Sequence, residues 1–215
     1  LTLAIPKSLR LPLLSQLPSA LLVGCPESEI GAIEQLPAQI LDNIAQQKYD
    51  AIALGPGLTP TVPTLLQTLT DSSSPLLLDA DALNLLAQNN PIQTLKSRSA
   101  PTILTPHLGE FRRLFPDIDS QQIDSLEVDL AASEKIPGDS AQKAAQASGA
   151  IVLLTGPRSA IGGGDQLWFN PHSTPALARG GSGDVLTGLI GGLIAAAAKD
   201  SHLSDQQKAS KSAFL

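Results

Sequence analysis

The sequence is poor in sulfur, in aromatic side chains and in charge. Its 215 residues include no methionine, one cysteine and one tryptophan, with 3% aromatic and 16% charged residues. The single cysteine, Cys25, excludes an internal disulfide and fits a reducing compartment, so we expect a cytoplasmic protein. With 42% apolar residues the chain is predicted to be globular, with a core of Leu, Ile, Val and Ala.

Basic clusters and long apolar runs are also lacking. The net charge is −6, and no group of Lys and Arg is present to neutralise a phosphate backbone, so we expect no nucleic-acid partner. The longest apolar run, residues 185–198, falls short of the ~20 residues that cross a bilayer, which predicts a core helix and no membrane association. The absence of G-x-x-x-x-G-K-[ST] excludes a Walker-type P-loop.

Short apolar runs alternate with helix-like segments along the chain. The predicted strands are 1–5, 20–24, 51–54, 76–79, 102–105 and 151–155, and the predicted helices are 31–47, 62–70, 81–88, 109–115, 125–148 and 185–198. Runs of this length suit strands buried on both faces, so the fold class is α/β, with a mainly parallel sheet. The stretch "SAIGGGDQLWFN" adds a predicted β-hairpin. We expect one domain over residues 1–215, incomplete at both ends.

Chemically interesting residues follow four of the predicted strands, in "LGPGLT", "DADALN", "TPHLGE" and "TGPRS". The carboxyl ends of parallel strands meet at one edge of a sheet, where ligands bind. The turn "GPG" either brings bare backbone to a ligand or is only a good turn. Asp81 is a candidate helix N-cap, whereas Asp79, at the end of a buried strand, needs a partner such as hydrated magnesium or a ligand donor.

Two of these loops carry further polar candidates. His107 and Glu110 stand three apart at a predicted helix start and either contact a polar ligand or face solvent. Thr105 lies five residues before Glu110, which is too far for an S/T-x-x-E capping box. Arg158, with hydroxyls on either side, suits phosphate recognition, although a lone surface arginine is an equal alternative.

The most specific motif is "ARGGSGDVLTG", at the start of the last predicted helix. Its glycines allow backbone N–H groups to face an anion, and Asp184 falls in the first helical turn. An acid there is stabilised by ~0.3–1 kcal/mol through the helix dipole, so simple capping is one alternative. The functional alternative is phosphoryl transfer, in which the N–H groups stabilise phosphoryl oxygens and Asp184 accepts the proton of the attacking hydroxyl.

Four motifs in this order, "LGPGL", "LLLDADALNLLA", "TILTPHLGEFRRL" and "ARGGSGDVLTGLIGGLIA", closely resemble the NAD(P)H-hydrate dehydratase family, also called the YjeF C-terminal domain. The resemblance implies a ribokinase-like three-layer α/β/α fold. It also implies a repair reaction, in which ADP or ATP drives dehydration of the S epimer of NAD(P)HX, the hydrated form of NADH or NADPH. The family is thus a nucleotide-dependent hydro-lyase that uses Mg²⁺.

The resemblance also assigns residues. Asp184 matches the acid that activates the substrate hydroxyl, and Gly57 and His107 match positions that contact NAD(P)HX together with it. The positions that match the nucleotide site are Thr155, Gly156, Pro157, Arg158, Ser159, Gly181, Ser182 and Gly183. Thr155 stands where the family usually has lysine, and Arg158 follows three positions later. The resemblance does not identify the metal ligands.

The resemblance further implies a homo-oligomer and an associated or fused NAD(P)HX epimerase domain. Two alternatives remain open from the residues themselves. One is a ribokinase-like kinase acting on a thiazole or pyrimidine alcohol, since Asp184 and its glycines would serve equally there. The other is a non-catalytic nucleotide-binding module, which the lysine-to-threonine change at Thr155 favours.

Overall fold

The structure is a computed structural model that describes residues 1–58, 63–118, 132–172 and 174–199, with backbone alone for 63–64 and 132–137. Six strands form the main sheet in the order β3-β4-β5-β6-β7-β8, and β1 and β2 form a separate parallel pair. The strands are β1 (Thr2–Pro6), β2 (Leu21–Cys25), β3 (Ile52–Leu54), β4 (Leu76–Leu78), β5 (Thr102–Leu104), β6 (Ile151–Leu154), β7 (Ala160–Gly163) and β8 (Gln166–Phe169).

Strands β3 to β6 run parallel, whereas β7 and β8 are antiparallel to their neighbours and form the predicted hairpin. The helices are α1 (Arg10–Leu14), α2 (Ala38–Ala45), α3 (Pro63–Thr70), α4 (Ala80–Ala87), α5 (Pro91–Lys96), α6 (Leu108–Leu114), α7 (Ala132–Ser148) and α8 (Ser182–Ala198). No helix within the described residues is long and apolar enough to span a membrane.

The central strands β4, β5 and β6 are buried on both faces, as their uninterrupted apolar runs predict. In β4, Leu76 and Leu78 pack into the larger cluster, with the apolar side chains of α2 to α7. Leu77, between them, points the other way and joins Ile190 and Ile194 of α8. Because alternate residues of a strand face opposite sides, these two clusters define a three-layer arrangement. The predicted α/β architecture is confirmed.

Several predicted boundaries are wrong. The helix predicted over 31–47 is confined to α2, because Pro37 holds extended backbone and disfavours helical backbone in the residue before it. Asp79, and not Asp81, is the N-cap residue of α4. Helices α1 and α5 were not predicted, since each is only five or six residues long. Residue 62 and residues 125–131 of the predicted helices lie outside the described residues.

Candidate active site

The carboxyl ends of the parallel strands are joined by hydrogen bonds that continue past the strands themselves. The Asp79 N–H donates to the Leu54 carbonyl at 3.0 Å. One strand further along the sheet, Thr105 donates both its N–H and its hydroxyl to the Leu78 carbonyl, at 3.2 and 3.3 Å. The loops that carry the predicted site residues therefore leave the sheet from fixed points at one edge.

Thr155 continues this pattern at the end of β6. Its N–H and its hydroxyl both donate to the Pro106 carbonyl, at 2.8 and 3.2 Å. A bridge between His107 and Thr155 follows from the same pairing. The structure thus brings the predicted dinucleotide-side residue His107 directly beside the predicted nucleotide-side residue Thr155. The Thr155 hydroxyl is thus part of a structural hydrogen bond to the Pro106 carbonyl, and a lysine at this position has no hydroxyl with which to form it.

Two glycines shape the loop after β3. Gly55 has φ +143°, and a Cβ built on it would lie 1.7 Å from the Asp79 carbonyl oxygen, so no side chain fits there. Gly57 has φ +72°, and no atom of the described residues lies within 4 Å of the corresponding Cβ position. Gly55 therefore permits close packing of two loops, whereas Gly57 leaves open space above the edge of the sheet, where we predict substrate contact.

His107 is the N-cap residue of α6. Its Nδ1 accepts the Gly109 N–H at 2.9 Å and the Glu110 N–H at 3.4 Å, while Glu110 Oε2 accepts the His107 N–H at 3.0 Å. This is a capping box in which histidine replaces serine or threonine, a box that the search for S/T-x-x-E in the sequence missed. Because Nδ1 is an acceptor here, the neutral ring carries its proton on Nε2.

The Nε2 side of His107 is the part available to a ligand. The side chain is 61% exposed, and its Nε2 lies 3.5 Å from Glu110 Oε1, which is too long for a strong hydrogen bond. His107 can therefore donate a hydrogen bond from Nε2 to a ligand acceptor without giving up its capping role. The alternative that both residues face solvent is wrong for Glu110, which is buried.

Burial raises the pKa of Glu110 above that of an ordinary glutamate. The hydrogen bond from the His107 N–H and the positive charge of Arg113 oppose this increase, while the negative charge of Asp79 adds to it. The Arg113 guanidinium also donates from Nε to Asn84 Oδ1 at 3.0 Å, which links α6 to α4. Acids from two neighbouring strand ends thus influence one another electrostatically.

The first turn of α8 is open to an anion. Its N-cap residue is Gly181, with φ +84° and no side-chain cap, and within the part of the chain that the structure describes no atom lies within 4 Å of a Cβ built on Gly180 or Gly181. Ser182, Gly183 and Asp184 form the first turn and are exposed. Within the described part of the chain no hydrogen bond or ion pair is found for the Asp184 carboxylate. Its oxygens are thus accessible to a ligand, as a proton acceptor must be.

The loop between β6 and β7 carries the remaining nucleotide candidates. Gly156 and Pro157 are exposed at its tip, and the Ser159 hydroxyl donates to the Gly156 carbonyl at 3.3 Å. Arg158 is half-buried and already interacts with another group of the protein, so the alternative of a lone surface arginine is not supported. The loop is therefore an ordered turn at the same edge of the sheet as His107.

Comparison with known proteins places this arrangement in a family. Residues 19–213 match the family model described as NAD(P)H-hydrate dehydratase. The chain belongs to the NAD(P)H-hydrate dehydratase family. A bifunctional NAD(P)H-hydrate repair enzyme from Thermosynechococcus vestitus is 51% identical over 197 residues, which cover 91% of this chain and 35% of the relative. The chain therefore spans about a third of the length of that relative.

Solved structures support the same assignment. The ADP/ATP-dependent NAD(P)H-hydrate dehydratase from Bacillus subtilis, co-crystallised with ATP and Mg²⁺, is 25% identical with a TM-score of 0.67, and the match covers 99% of this chain and 66% of that one. A ribokinase-like superfamily protein from Enterococcus faecalis matches with a TM-score of 0.69 at 24% identity, covering 99% of this chain and 65% of that one. The predicted ribokinase-like fold is thus confirmed.

Two features of this dehydratase-family chain were not predicted from the sequence. Thr187, which looks like one more residue of an apolar helix, donates its hydroxyl to Asp79 Oδ2 at 2.7 Å. Ala80, next to Asp79, adopts φ +46°, a left-handed backbone that alanine rarely takes. No short pattern in the sequence marks either feature.

Proposed function

We propose that this chain dehydrates the S epimer of hydrated NADH or NADPH, with ADP or ATP as co-substrate. The observation that carries the proposal is the exposed Asp184 carboxylate in the uncapped first turn of α8. Membership of the NAD(P)H-hydrate dehydratase family supports the substrate class. An acid and free backbone N–H groups at one helix start are what the phosphorylation of an alcohol requires.

In the proposed reaction the ring hydroxyl of the hydrated nicotinamide attacks the terminal phosphoryl group of the nucleotide. Asp184 accepts the hydroxyl proton as the new P–O bond forms and the bond to the leaving nucleotide breaks. The backbone N–H groups of Gly183 and Asp184, in the first turn of α8, would stabilise the charge on the transferred phosphoryl oxygens. Inorganic phosphate then leaves the ring as the neighbouring ring carbon loses a proton, and the double bond formed between the two carbons restores NADH or NADPH, so that a kinase-like fold catalyses a net dehydration.

The two ligands would occupy opposite sides of this helix start. The nucleotide would contact residues 155–159 and the glycines before Asp184, with Arg158 near its phosphates. The hydrated dinucleotide would lie over Gly57 and accept a hydrogen bond from His107 Nε2, the nitrogen that carries the proton. This division makes Asp184 the residue at which both ligands meet.

Magnesium fits the site only as a companion of the nucleotide. The described residues contain no group of three or more His, Cys, Asp or Glu side chains that could hold a metal ion. Mg²⁺ usually keeps several waters and binds through one or two carboxylates and the substrate phosphates. Asp79, which is half-buried at the end of β4, is the acid that would serve, through a water ligand of the ion. The ion would neutralise phosphate charge when bound.

The wider setting of the activity belongs to the same proposal. The Thermosynechococcus vestitus relative is named as a bifunctional repair enzyme, and this chain matches only 35% of it. We therefore propose that the domain works beside an NAD(P)HX epimerase activity. The family resemblance adds to this proposal a homo-oligomer in the cytoplasm. The epimerase would convert the other epimer of the hydrated cofactor into the one that this site accepts.

Replacing Asp184 by Asn tests the proposed function. With NADHX, Mg²⁺ and ADP or ATP, absorbance at 340 nm should recover for the unaltered chain, and Asp184→Asn should slow this about a hundredfold or more. Nucleotide affinity, measured by calorimetry, should change little. The exposed Asp165, in the hairpin turn, provides a matched control, since Asp165→Asn should keep full activity. No recovery of NADH with either nucleotide would reject the proposal.

The kinase alternative is separated by its product. A kinase acting on a thiazole or pyrimidine alcohol would leave a stable phosphate ester, whereas the dehydratase releases inorganic phosphate. The binding-module alternative predicts nucleotide binding with no turnover of either kind. Phosphate release in step with NADH recovery would exclude both alternatives.

A further inference from the structure

The contact between Asp79 and Thr187 joins two elements that are far apart in the chain. Thr187 lies in the second turn of α8 and is 6% exposed, and its hydroxyl donates to Asp79 Oδ2 at 2.7 Å. Asp79 is the residue at which β4 ends and α4 begins. A buried hydroxyl paired with a carboxylate gives a short, strong hydrogen bond, so this contact restrains α8 relative to the sheet.

Asp79 itself is held firmly by its backbone. Its N–H donates to the Leu54 carbonyl at 3.0 Å, and its carbonyl accepts the Ala82 N–H at 3.1 Å. Gly55 packs so closely on the Asp79 carbonyl that no Cβ would fit. Asp79 is therefore a fixed point on the sheet, and a side chain bonded to it is fixed as well.

The same carboxylate lies beneath the first turn of α8. A Cβ built on Gly183 would be 3.8 Å from Asp79 Oδ2, and Asp184 is the next residue along the helix. On the other side, Asp79 touches the loop of Gly55 and acts electrostatically on Glu110, the residue that caps α6 together with His107. Asp79 thus stands between the elements proposed to bind nucleotide and those proposed to bind the dinucleotide.

We propose that Asp79 and Thr187 are positioning residues that hold Asp184 at its working distance from the substrate side of the site. This inference rests on the proposed function, because it concerns the reaction that Asp184 serves. Neither residue contacts the reacting atoms in this role. The Thr187 hydroxyl fixes the Asp79 carboxylate against α8, and the carboxylate fixes the first turn of α8 above the loops that follow β3 and β4.

A positioning role predicts a particular kinetic pattern. Without the hydroxyl, α8 would shift relative to the sheet, and both ligands would still find most of their contacts. A displacement of about 1 Å can cost about a hundredfold in rate when two reactants must be aligned. We therefore expect the loss in kcat and not in the affinity for nucleotide.

The test compares Thr187→Val and Thr187→Ser in the full chain. Valine keeps the shape and removes the hydroxyl, whereas serine keeps the hydroxyl. Thr187→Val should lower kcat for NADHX dehydration about tenfold or more and change the Kd for ADP less than about threefold, and Thr187→Ser should recover most of kcat.

Thr70→Val is the matched control for loss of a buried hydroxyl. Thr70 is 5% exposed in α3, and its hydroxyl donates to the Gln67 carbonyl at 3.0 Å. Each of the two valine substitutions removes a buried, hydrogen-bonded hydroxyl, so both should lower the thermal midpoint. Unlike Thr187→Val, Thr70→Val should leave kcat unchanged. The inference is overturned if Thr187→Val keeps kcat within twofold, or if Thr187→Ser is no better than valine. An inactive unaltered chain would instead reject the proposed function.

Discussion

At the residue scale, His107 combines a structural role, which it shares with Glu110, with the binding role that we propose for it. Nδ1 of His107 caps α6 and leaves Nε2 exposed, so one imidazole would serve both the helix and the proposed site. The arrangement depends on Glu110, whose carboxylate accepts the His107 N–H although it is buried. Burying a carboxylate is unfavourable, so Glu110 is a point at which the site reduces the stability of the fold.

Replacing Glu110 by Gln should change how stability depends on pH. The pKa of Glu110 is raised by burial, so the folded state keeps its proton to a higher pH than the unfolded state does. The free energy of unfolding should therefore fall as the pH rises from the ordinary pKa of a glutamate through the raised pKa of Glu110. Glutamine can still accept the His107 N–H but has no charge, so this part of the decrease should disappear.

Urea denaturation between pH 4 and pH 8 measures this effect. The difference in unfolding free energy between Glu110→Gln and the unaltered chain should move in favour of the variant as pH rises. Glu29, which is exposed, is the control, and Glu29→Gln should follow the unaltered chain. Parallel curves for Glu110→Gln and the unaltered chain would contradict a raised pKa.

At the element scale, glycines set how closely α7 packs on the hairpin. A Cβ built on Gly162 would lie 2.6 Å from the backbone carbon and oxygen of Ala141, and one built on Gly138 would lie 2.2 Å from the Phe169 ring. Gln142 Nε2 also donates to the Gly164 carbonyl at 2.6 Å. Helix and hairpin therefore meet backbone to backbone, which fixes β7 and the loop before it.

Gly162→Ala should destabilise the fold by about 1–3 kcal/mol, because the new methyl group would overlap rigid backbone. Gly192→Ala provides the contrast, since Gly192 lies in α8 and none of the residues that the structure describes comes within 4 Å of its Cβ position. There alanine should stabilise the helix by about 1 kcal/mol through its higher helix propensity. Denaturant midpoints measure both changes, and equal effects of the same sign would show that packing does not distinguish the two positions.

At the scale of the whole molecule, Arg98 joins three elements at the end of the sheet opposite the site. Its Nε donates to Thr102 Oγ1 at 2.7 Å, at the start of β5. Its two terminal nitrogens donate to four backbone carbonyls around the end of α3 and the turn before β4, those of Leu69, Thr70, Ser72 and Ser74. Burial lowers the pKa of Arg98, and the charge of Asp71 opposes this.

Arg98→Met should destabilise the protein by about 3 kcal/mol or more, because several partly buried carbonyls would lose a charged donor at once. Arg98→Lys should recover only part of this, since an ammonium group cannot reproduce the planar fork. Urea denaturation checks both variants against Lys96→Ala, an exposed residue at the end of α5. A loss below about 1 kcal/mol for Arg98→Met would mean that water replaces the guanidinium.

Patterns within a few residues of one another predicted much of the fold. Short apolar runs predicted the buried strands, and the glycine turn predicted the hairpin. The α/β class, the hairpin and the position of Asp184 in the first turn of α8 are confirmed. Boundaries were less predictable where a single proline decided them, as at Pro37 before α2. The meeting of the loops at one edge of the sheet also followed from the sequence, because the carboxyl ends of parallel strands lie at the same edge.

The sequence by itself determined the class of fold, the family and the residues with suitable chemistry, because each depends on local spacing or on motif order. Only the tertiary structure decided the partners of those residues. The hydroxyl of Thr187 reaches Asp79 across 108 positions of sequence, and the carbonyl of Pro106 receives Thr155 across 49. Such contacts depend on the position of each helix relative to the sheet. The packing of the whole core fixes this position, and no short stretch of residues does so.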